Sequence, residues 1–245
     1  MSLTEYDEKR YNRQMIMPGF GYEGQQKLKN STVFVAGAGG LGSPVAIYLA
    51  VAGIGRIILA DMDVVDPSNL NRQILHWDEN IGQKKVESGG SKLRKINPEI
   101  RISAIDVRID EDNVYELTKD ADIIIDAMDN YPVRFLLNRA ALSHRIPFIH
   151  ASVWGLGGQL MTIIPGKTPC LACLIHETPP KEVFPVLGAT PGVIGTLQVT
   201  EAIKLLTGIG TPVTNRILIY DGENMAFDTF KVNRKKDCPV CRDLL

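Results

Sequence analysis

A glycine-rich turn near the start of the chain limits its fold more than any other feature of the sequence. Residues 37–42 read GAGGLG, which matches the pattern G-x-G-x-x-G. The β-rich run TVFVA comes directly before this turn, and the helix-like run SPVAIYLAVAG, closed by Gly53, comes directly after it. A second apolar run, RIILA, then ends at Asp61. This order predicts a βαβ unit, and with it a parallel sheet with right-handed crossovers.

Further apolar runs predict the rest of the same sheet. INPEIRISAIDV, ADIIIDAMDN and PFIHASV predict strands, while QKKVESGGSKLRK and VRFLLNRAALSHR predict the helices between them. Later, GQLMTIIPG, RILIYDG and MAFDTFKV predict antiparallel strands around a helix in GVIGTLQVTEAIKLLTG. The proline-rich segment 176–191 predicts a long loop. The predicted fold class is therefore α/β and Rossmann-like, a mainly parallel sheet extended by antiparallel strands in the C-terminal half.

Composition and charge exclude several classes of protein. With 245 residues, 44% of them hydrophobic, the chain is long enough for one core. A net charge of -1 gives no long-range attraction for a polyanion, so no nucleic-acid partner is expected. No apolar run reaches the roughly 20 residues of a membrane span, and the charged start MSLTEYDEKRYNRQ is unlike a signal peptide. We therefore expect a cytoplasmic protein that makes no contact with membranes.

Four cysteines form two C-x-x-C pairs, which predict a structural zinc site. In a reducing compartment this spacing favours tetrahedral thiolate zinc over disulfides or unpaired thiols, which remain the alternatives. About 64 residues separate the two pairs, so the fold must bring them together. The predicted zinc ligands are Cys170, Cys173, Cys238 and Cys241.

The residues after the glycine turn distinguish between two kinds of nucleotide. Asp61 lies about 20 residues after the turn, where a carboxylate can bind ribose hydroxyls of either NAD or ATP. A triphosphate carries several negative charges that need cationic and polar partners. The chain supplies such groups in NLNRQ and GQKKVES, namely Asn69, Arg72, Gln73 and Lys85. The pattern therefore favours ATP.

Two carboxylates at the end of a predicted strand are candidates for Mg²⁺. Asp129 closes DIIIDAMDN at the carboxyl edge, where open α/β sheets bind ligands. One or two carboxylates together with phosphate oxygens suit this ion. Asp126, three residues earlier, is the rival candidate. The turn residues that follow indicate that the strand does not stay regular, so alternation does not decide between the two.

Together these motifs resemble the MoeB, ThiF and HesA group, which is related to the adenylation domains of ubiquitin-activating enzymes. The resemblance runs from RYNRQ at 10–14 to CPVC at 238–241. Between them lie GAGGLG, DMDVVDPSNLNRQ, GQKKVES, INP, DAMDN and CLAC, in that order. It implies a single adenylation domain over 1–245. This would comprise an N-terminal arm (1–30), a nucleotide-binding half (31–165) and a zinc-bearing, partner-binding half (166–245).

The resemblance also implies an activity: ATP-dependent adenylation of the C-terminal glycine carboxylate of a ubiquitin-like sulfur-carrier protein ending in Gly-Gly, with release of pyrophosphate. By this resemblance Asp61 binds the ribose, and Asp129 binds Mg²⁺. Asn69, Arg72 and Lys85 contact the phosphates, and Arg13 reaches the triphosphate of a partner subunit in a homodimer. The nucleotide-binding set comprises Gly37, Gly39, Gly40, Gly42, Asp61, Asp63, Asn69 and Gln73.

Two features bear on how the activated product is used. Many members of the group carry a further cysteine on the crossover loop, but KEVFPVLGATP has none. If all four cysteines bind zinc, no thiolate remains, and we expect the product to pass to an external sulfur donor. The chain ends soon after CPVC, so no appended sulfur-transfer domain is expected.

Adenylation needs no general base, so the histidines are predicted to be structural or surface residues: His76, His144, His150 and His176.

Other functions remain open on the sequence alone. An NAD-dependent oxidoreductase would explain the glycines and Asp61 but not Arg72, Lys85 and Asp129. A binding module could hold a ubiquitin-like tail without turnover. ATP-dependent activation of a peptide or tRNA is a further alternative, against which the lack of a basic stripe argues.

Overall fold

A single eight-stranded sheet forms the centre of the molecule. The computed structural model describes residues 2–175 and 184–243. Within them the strand order is β3-β2-β1-β4-β5-β6-β7-β8. The strands are β1 (Thr32–Ala36), β2 (Arg56–Asp61), β3 (Arg101–Asp106), β4 (Ile123–Asp126), β5 (Phe148–Trp154), β6 (Gly157–Ile163), β7 (Arg216–Asp221) and β8 (Ala226–Lys231). The first five pair in parallel and the last three extend the sheet antiparallel, which confirms the predicted fold class.

Helices precede the sheet, connect its strands and cover its faces. The N-terminal arm is helical, and the longest helix lies between β6 and β7. The helices are α1 (Glu5–Arg10), α2 (Asn12–Met15), α3 (Gly21–Asn30), α4 (Gly42–Ala52), α5 (Lys85–Ile96), α6 (Val114–Thr118), α7 (Tyr131–His144), α8 (Leu171–Leu174) and α9 (Ala189–Thr207). Within the described residues, no helix is long and apolar enough to cross a membrane.

Alternating side chains of the strands feed two separate cores. In β1, Val33 and Val35 belong to the core that α4 and α9 cover. Phe34 belongs to the opposite core, beneath α7, which also contains the four cysteines. All three β1 side chains are fully buried, as expected for a central parallel strand with both faces covered.

The predicted βαβ unit is present, and its boundaries follow local signals. Helix α4 begins inside the glycine turn at Gly42 and ends at Ala52. It is capped by Gly53, whose φ of 85° suits a residue without a side chain. Helix α5 includes Gly89 although glycine weakens helices. A Cβ there would lie 2.7 Å from Leu75 Cδ2, so the glycine allows the helix to pack closely.

The predicted loop over 176–191 is shorter at its C-terminal end than expected. Helix α9 begins at Ala189, so the last three residues of that segment are helical. Residues 176–183, including His176, lie outside the described residues.

Strand β1 pairs with β2 on one side and β4 on the other. The chain therefore reverses its direction of winding beside β1, and ligands of open α/β sheets bind at such a point.

Candidate functional site

The glycine turn follows β1 and contains two positions where the backbone itself requires glycine. Gly37 has a φ of 101°, and a Cβ there would lie 2.7 Å from the carbonyl oxygen of Ala127. A Cβ on Gly42 would lie 1.9 Å from the carbonyl oxygen of Gly37. Any side chain at either position would therefore displace the turn.

The other two predicted glycines are not required by the fold in the same way. The nearest atom to a Cβ on Gly39 is Gln73 Nε2 at 3.7 Å, and for Gly40 it is Pro191 Cγ at 3.4 Å. These are ordinary van der Waals separations. Among the described residues, no group accepts a hydrogen bond from the N–H of Gly39 or Gly40. The turn thus offers open backbone donors next to the start of α4, a combination suited to anions.

Asp61 lies at the end of β2 and holds the turn in place. Its Oδ2 accepts a hydrogen bond from the backbone N–H of Ala38 at 2.7 Å. Its Oδ1 accepts one from the N–H of Asp63 at 2.8 Å. The carboxylate is half-buried, so the predicted ribose ligand lies directly beside the glycine turn.

The segment after β2 carries three of the residues predicted at the nucleotide site. It begins with a 3-10 turn, Pro67–Asn69, capped by Asp66. The Arg72 guanidinium donates to the Ser68 carbonyl at 2.8 Å, and Arg72 Cγ lies 3.6 Å from the Cβ position of Gly40. Gln73 is buried, and its Oε1 has no hydrogen-bond partner among the described residues. Segment 69–73 is therefore in contact with the glycine turn.

Lys85 is the first residue of α5 and is almost fully buried. Its Nζ lies 3.0 Å from Asp63 Oδ2, whereas the side chain of Asp63 is 55% exposed. The Lys85 backbone N–H also donates to the Asp63 carbonyl at 2.9 Å. Two residues that were predicted to contact the same nucleotide therefore contact each other.

The structure separates the two candidate magnesium ligands. Asp126 is completely buried, and its Oδ2 lies 2.7 Å from His150 Nδ1. Burial lowers the pKa of His150, an effect that the neighbouring Asp126 carboxylate opposes. Asp129 is exposed and accepts a weak hydrogen bond only from the Asn130 amide among the described residues. Asp129 is therefore the carboxylate that solvent and ions can reach.

An arginine that the sequence did not single out fixes the turn carrying Asp129. Arg134 Nη2 donates to the Met128 carbonyl at 2.5 Å, and Asp126 Oδ1 accepts from the Met128 N–H at 3.0 Å. Arg134 is 4% exposed. Its spacing with Leu137 and Ala141 places a charge on the apolar face of α7, and this was the available signal in the sequence.

Residues predicted to bind the nucleotide follow three strands that end at one edge of the sheet. The glycine turn follows β1, Asp61 ends β2 and Asp129 follows β4, and these strands are neighbours. Arg13 lies elsewhere, exposed on the short helix α2, and makes no hydrogen bond or ion pair with any other described residue. The structure therefore places the glycine turn, Asp61 and Asp129 at adjoining strand ends, away from Arg13.

The two cysteine pairs converge into one cluster beneath α7. Their four sulfur atoms lie within 4.8 Å of one another, and all four residues are buried. The Cys170–Cys238 and Cys173–Cys241 sulfurs are 3.7 and 3.6 Å apart, too far for disulfides. Zinc–sulfur bonds of about 2.3 Å in a tetrahedron would separate the sulfurs by about 3.8 Å. Burial raises the pKa of the Cys170 thiol, so a cation would favour its thiolate form.

Comparisons with known proteins identify the family to which the chain is similar. The ThiF family model matches residues 11–240. The SAMP-activating enzyme E1 of Haloferax volcanii is 40% identical over 98% of this chain and 91% of its own length. The sulfur carrier protein adenylyltransferase of Thermus thermophilus is 39% identical over 99% and 94%. The crystal structure of E. coli MccB with ATP superposes with a TM-score of 0.86 at 26% identity, covering 98% of this chain and 76% of MccB.

Proposed function

The chain belongs to the ThiF family, and we propose that it is an adenylyltransferase that uses ATP to activate the C-terminal glycine carboxylate of a ubiquitin-like sulfur-carrier protein. Two full-length relatives named for the activation of SAMP and of a sulfur carrier protein support this function. The observation that carries the proposal is the convergence of the glycine turn, Asp61, Lys85 and Asp129 at one edge of the sheet.

ATP binds at this edge with its ribose on Asp61 and its phosphates near the glycine turn. The open N–H groups of Gly39 and Gly40 face the anion, as at other helix N-termini after a glycine turn. Arg72, Asn69 and Lys85 supply further contacts to the triphosphate. Since Lys85 already pairs with Asp63, the phosphates compete with this carboxylate for its ammonium. Gln73 supplies a polar side chain next to Gly39.

Asp129 is the residue that would hold Mg²⁺. Its exposed carboxylate lies on a turn fixed from below by Asp126 and Arg134, which fits a site made from one carboxylate and phosphate oxygens. When bound, the ion neutralises charge on the phosphates and helps pyrophosphate to leave. The buried Asp126 supports the turn instead of contacting the ion.

The reaction follows from the charges of the two substrates. A carboxylate oxygen of the carrier's last glycine forms a bond with the α-phosphorus, and the bond between this phosphorus and the bridging oxygen to the β-phosphate breaks. The products are an acyl-adenylate and pyrophosphate. No proton has to move, because the attacking carboxylate is already ionised. The protein therefore acts by positioning two anions and neutralising their repulsion.

The carrier tail reaches the α-phosphate past the segment that leads into α9. Pro191 lies against Gly40, and the backbone of Gly155 is paired with Pro185 and Leu187. Apolar side chains around this pairing are exposed to solvent: Trp154, Leu156, Phe184 and Leu187. Such a patch beside the ATP site suits a protein partner.

The cysteine cluster binds Zn²⁺ as a structural ion. The sulfur separations and complete burial fit four thiolate ligands with no open coordination position. With all four sulfurs engaged, no thiolate attacks the adenylate, so an external sulfur donor receives the activated carrier. Thiolate zinc suits a reducing compartment, in line with a cytoplasmic location.

We also propose that residues 1–245 form a single adenylation domain with three parts, 1–30, 31–165 and 166–245. In the proposed homodimer, Arg13 reaches the triphosphate of the partner subunit. The exposed position of Arg13 on α2 is compatible with such a role.

The test is ATP–pyrophosphate exchange in the presence of Mg²⁺. Each small Gly-Gly-ending protein of the source organism is assayed intact and without its last two residues. Exchange that depends on the intact tail supports carboxylate adenylation and names the partner. ATP binding without exchange for any candidate contradicts the carrier proposal and directs the search to peptides or tRNA.

A further inference from the structure

A buried histidine lies directly beneath the glycine turn. His76 is 3% exposed, and its Nε2 lies 2.9 Å from the carbonyl oxygen of Ala38. Its Nδ1 lies 3.0 Å from the hydroxyl of Ser88 on α5. A carbonyl oxygen can only accept, so Nε2 carries the proton and donates to Ala38. The neutral ring therefore has Nδ1 as an acceptor, and the Ser88 hydroxyl donates to it.

The hydrogen-bond chain continues from Ser88 to a buried ammonium. Lys92 Nζ donates to Ser88 Oγ at 3.0 Å and to the Leu75 carbonyl at 2.9 Å. Its third hydrogen bond goes to the side-chain oxygen of Asn80. All three donors of the ammonium are thus engaged. The direction of donation is fixed from Lys92 through Ser88 and His76 to Ala38.

This chain determines where one donor of the glycine turn points. The Ala38 carbonyl and the Gly39 N–H belong to the same peptide unit, which is planar and trans. The two groups therefore point in opposite directions. Because His76 holds the carbonyl on the buried side, the Gly39 N–H is turned to the open side. The N–H of Ala38 is held separately by Asp61.

We propose that His76 is a positioning residue of the ATP site, which directs the Gly39 N–H toward the phosphates by holding the Ala38 carbonyl. The inference rests on the proposed ATP site. Ser88 and Lys92 support the same positioning of the Gly39 N–H, since they fix the tautomer of His76. None of the three side chains contacts ATP. Burial lowers the pKa of His76, which agrees with a neutral ring.

The experiment compares two substitutions of His76 in the full chain. His76→Gln keeps a side-chain N–H donor, whereas His76→Leu keeps bulk but leaves the Ala38 carbonyl without its donor. His144→Leu is the matched control, because Nε2 of His144, the last residue of α7, makes the same kind of bond to the carbonyl of Tyr115 on α6. The readouts are ATP affinity by calorimetry, the KM values for ATP and carrier in the exchange assay, and thermal unfolding.

We expect His76→Leu to weaken ATP binding roughly tenfold, with the carrier KM unchanged, and His76→Gln to restore most of the affinity. His144→Leu should leave ATP affinity unchanged. Equal effects of the Leu and Gln substitutions, or unchanged ATP affinity in folded His76→Leu, would overturn the proposal. If His76→Leu does not fold, Ser88→Ala decides: a roughly threefold loss of ATP affinity supports the chain, and no loss contradicts it.

The calorimetric arm separates this inference from the proposed function. A wild-type protein that binds ATP but catalyses no exchange contradicts the adenylation of a carrier. The same protein still reports on His76, because ATP affinity alone then distinguishes the Leu and Gln variants.

Discussion

Asp63 and Lys85 form an ion pair of 3.0 Å at the edge of the sheet where ATP is proposed to bind. The pair joins the loop after β2 to the first residue of α5. The Lys85 side chain is buried and that of Asp63 is mostly exposed, so among the described residues Asp63 is the side-chain partner of the ammonium, which meets little water. This arrangement holds a cation on Asp63, whose backbone N–H donates to Asp61, the residue that also binds the glycine turn.

Replacement of Lys85 should therefore affect catalysis far more than folding. We expect Lys85→Met to lower exchange at least a hundredfold, because it removes a charge that stabilises the departing pyrophosphate. Lys84→Met is the matched control, since its ammonium pairs with Asp106 instead. Exchange rates and thermal unfolding of both variants give the comparison. Similar losses of activity in the two variants would show that Lys85 has no special role.

The two carboxylates near the end of β4 should respond in opposite ways to substitution. Asp129→Asn should abolish Mg²⁺-dependent exchange and leave stability nearly unchanged, because this carboxylate is exposed. Asp126→Asn should destabilise the protein by roughly 3 kcal/mol, since it leaves Arg134 without its buried charge partner. Urea unfolding and a Mg²⁺ titration of the exchange rate measure the two effects. A stable Asp126→Asn variant would contradict the assigned roles.

Removal of the proposed zinc ion should destabilise the C-terminal half. We expect about one zinc ion per chain by mass spectrometry of the metal content, and none in Cys173→Ser. Chelation should lower the unfolding temperature, and added Zn²⁺ should restore it, whereas added Mg²⁺ should not. A metal-free protein that unfolds at the same temperature would refute the structural zinc site.

Stability should decrease in mild acid because His76 and His150 are buried. Burial lowers the pKa of His76 and of His150 below the usual 6.5. For His76, nearby Lys92 and Lys85 add to this shift, while the Ala38 carbonyl and Asp61 oppose it. Below pH 6.5 the unfolded chain binds protons that the folded chain does not, so stability falls as the pH falls.

This stabilisation is fully present above about pH 7, and each histidine can remove up to about 1.4 kcal/mol per pH unit below that range. Urea unfolding between about pH 5 and 8 measures the slope for the wild type and for His76→Gln. We expect a smaller slope in the variant. Stability that rises as the pH falls from 7 to 5.5 would contradict the neutral state of both rings.

Local patterns in the sequence predicted most of the fold and part of the site. The glycine turn with its flanking strand and helix needs only adjacent residues, so β1, α4 and β2 could be placed. The C-x-x-C spacing predicted that the two pairs meet although 64 residues separate them. Both predictions were confirmed because short-range rules fix backbone conformation and metal-ligand spacing.

Contacts between distant polar residues could not be predicted in the same way. The spacing of Asp126 and Asp129 did not decide which carboxylate is buried, because this depends on His150 and Arg134 beneath the turn. The bond between His76 and Ala38 spans 38 positions and depends on where α5 packs. Hydrogen-bond partners of this kind follow from the packed backbone and leave no periodic signal.

Strand β6 pairs with β5 on one side and with β7 on the other, so the sheet continues without interruption from the proposed nucleotide-binding half into the proposed partner-binding half. The two halves cannot rotate about a hinge, since such a motion would break this ladder of hydrogen bonds. Closure of one half of this enzyme over the other would therefore cost the hydrogen bonds between neighbouring strands. Its substrates have to meet on a rigid frame, and any rearrangement during turnover belongs to the connections between strands and to the carrier tail itself.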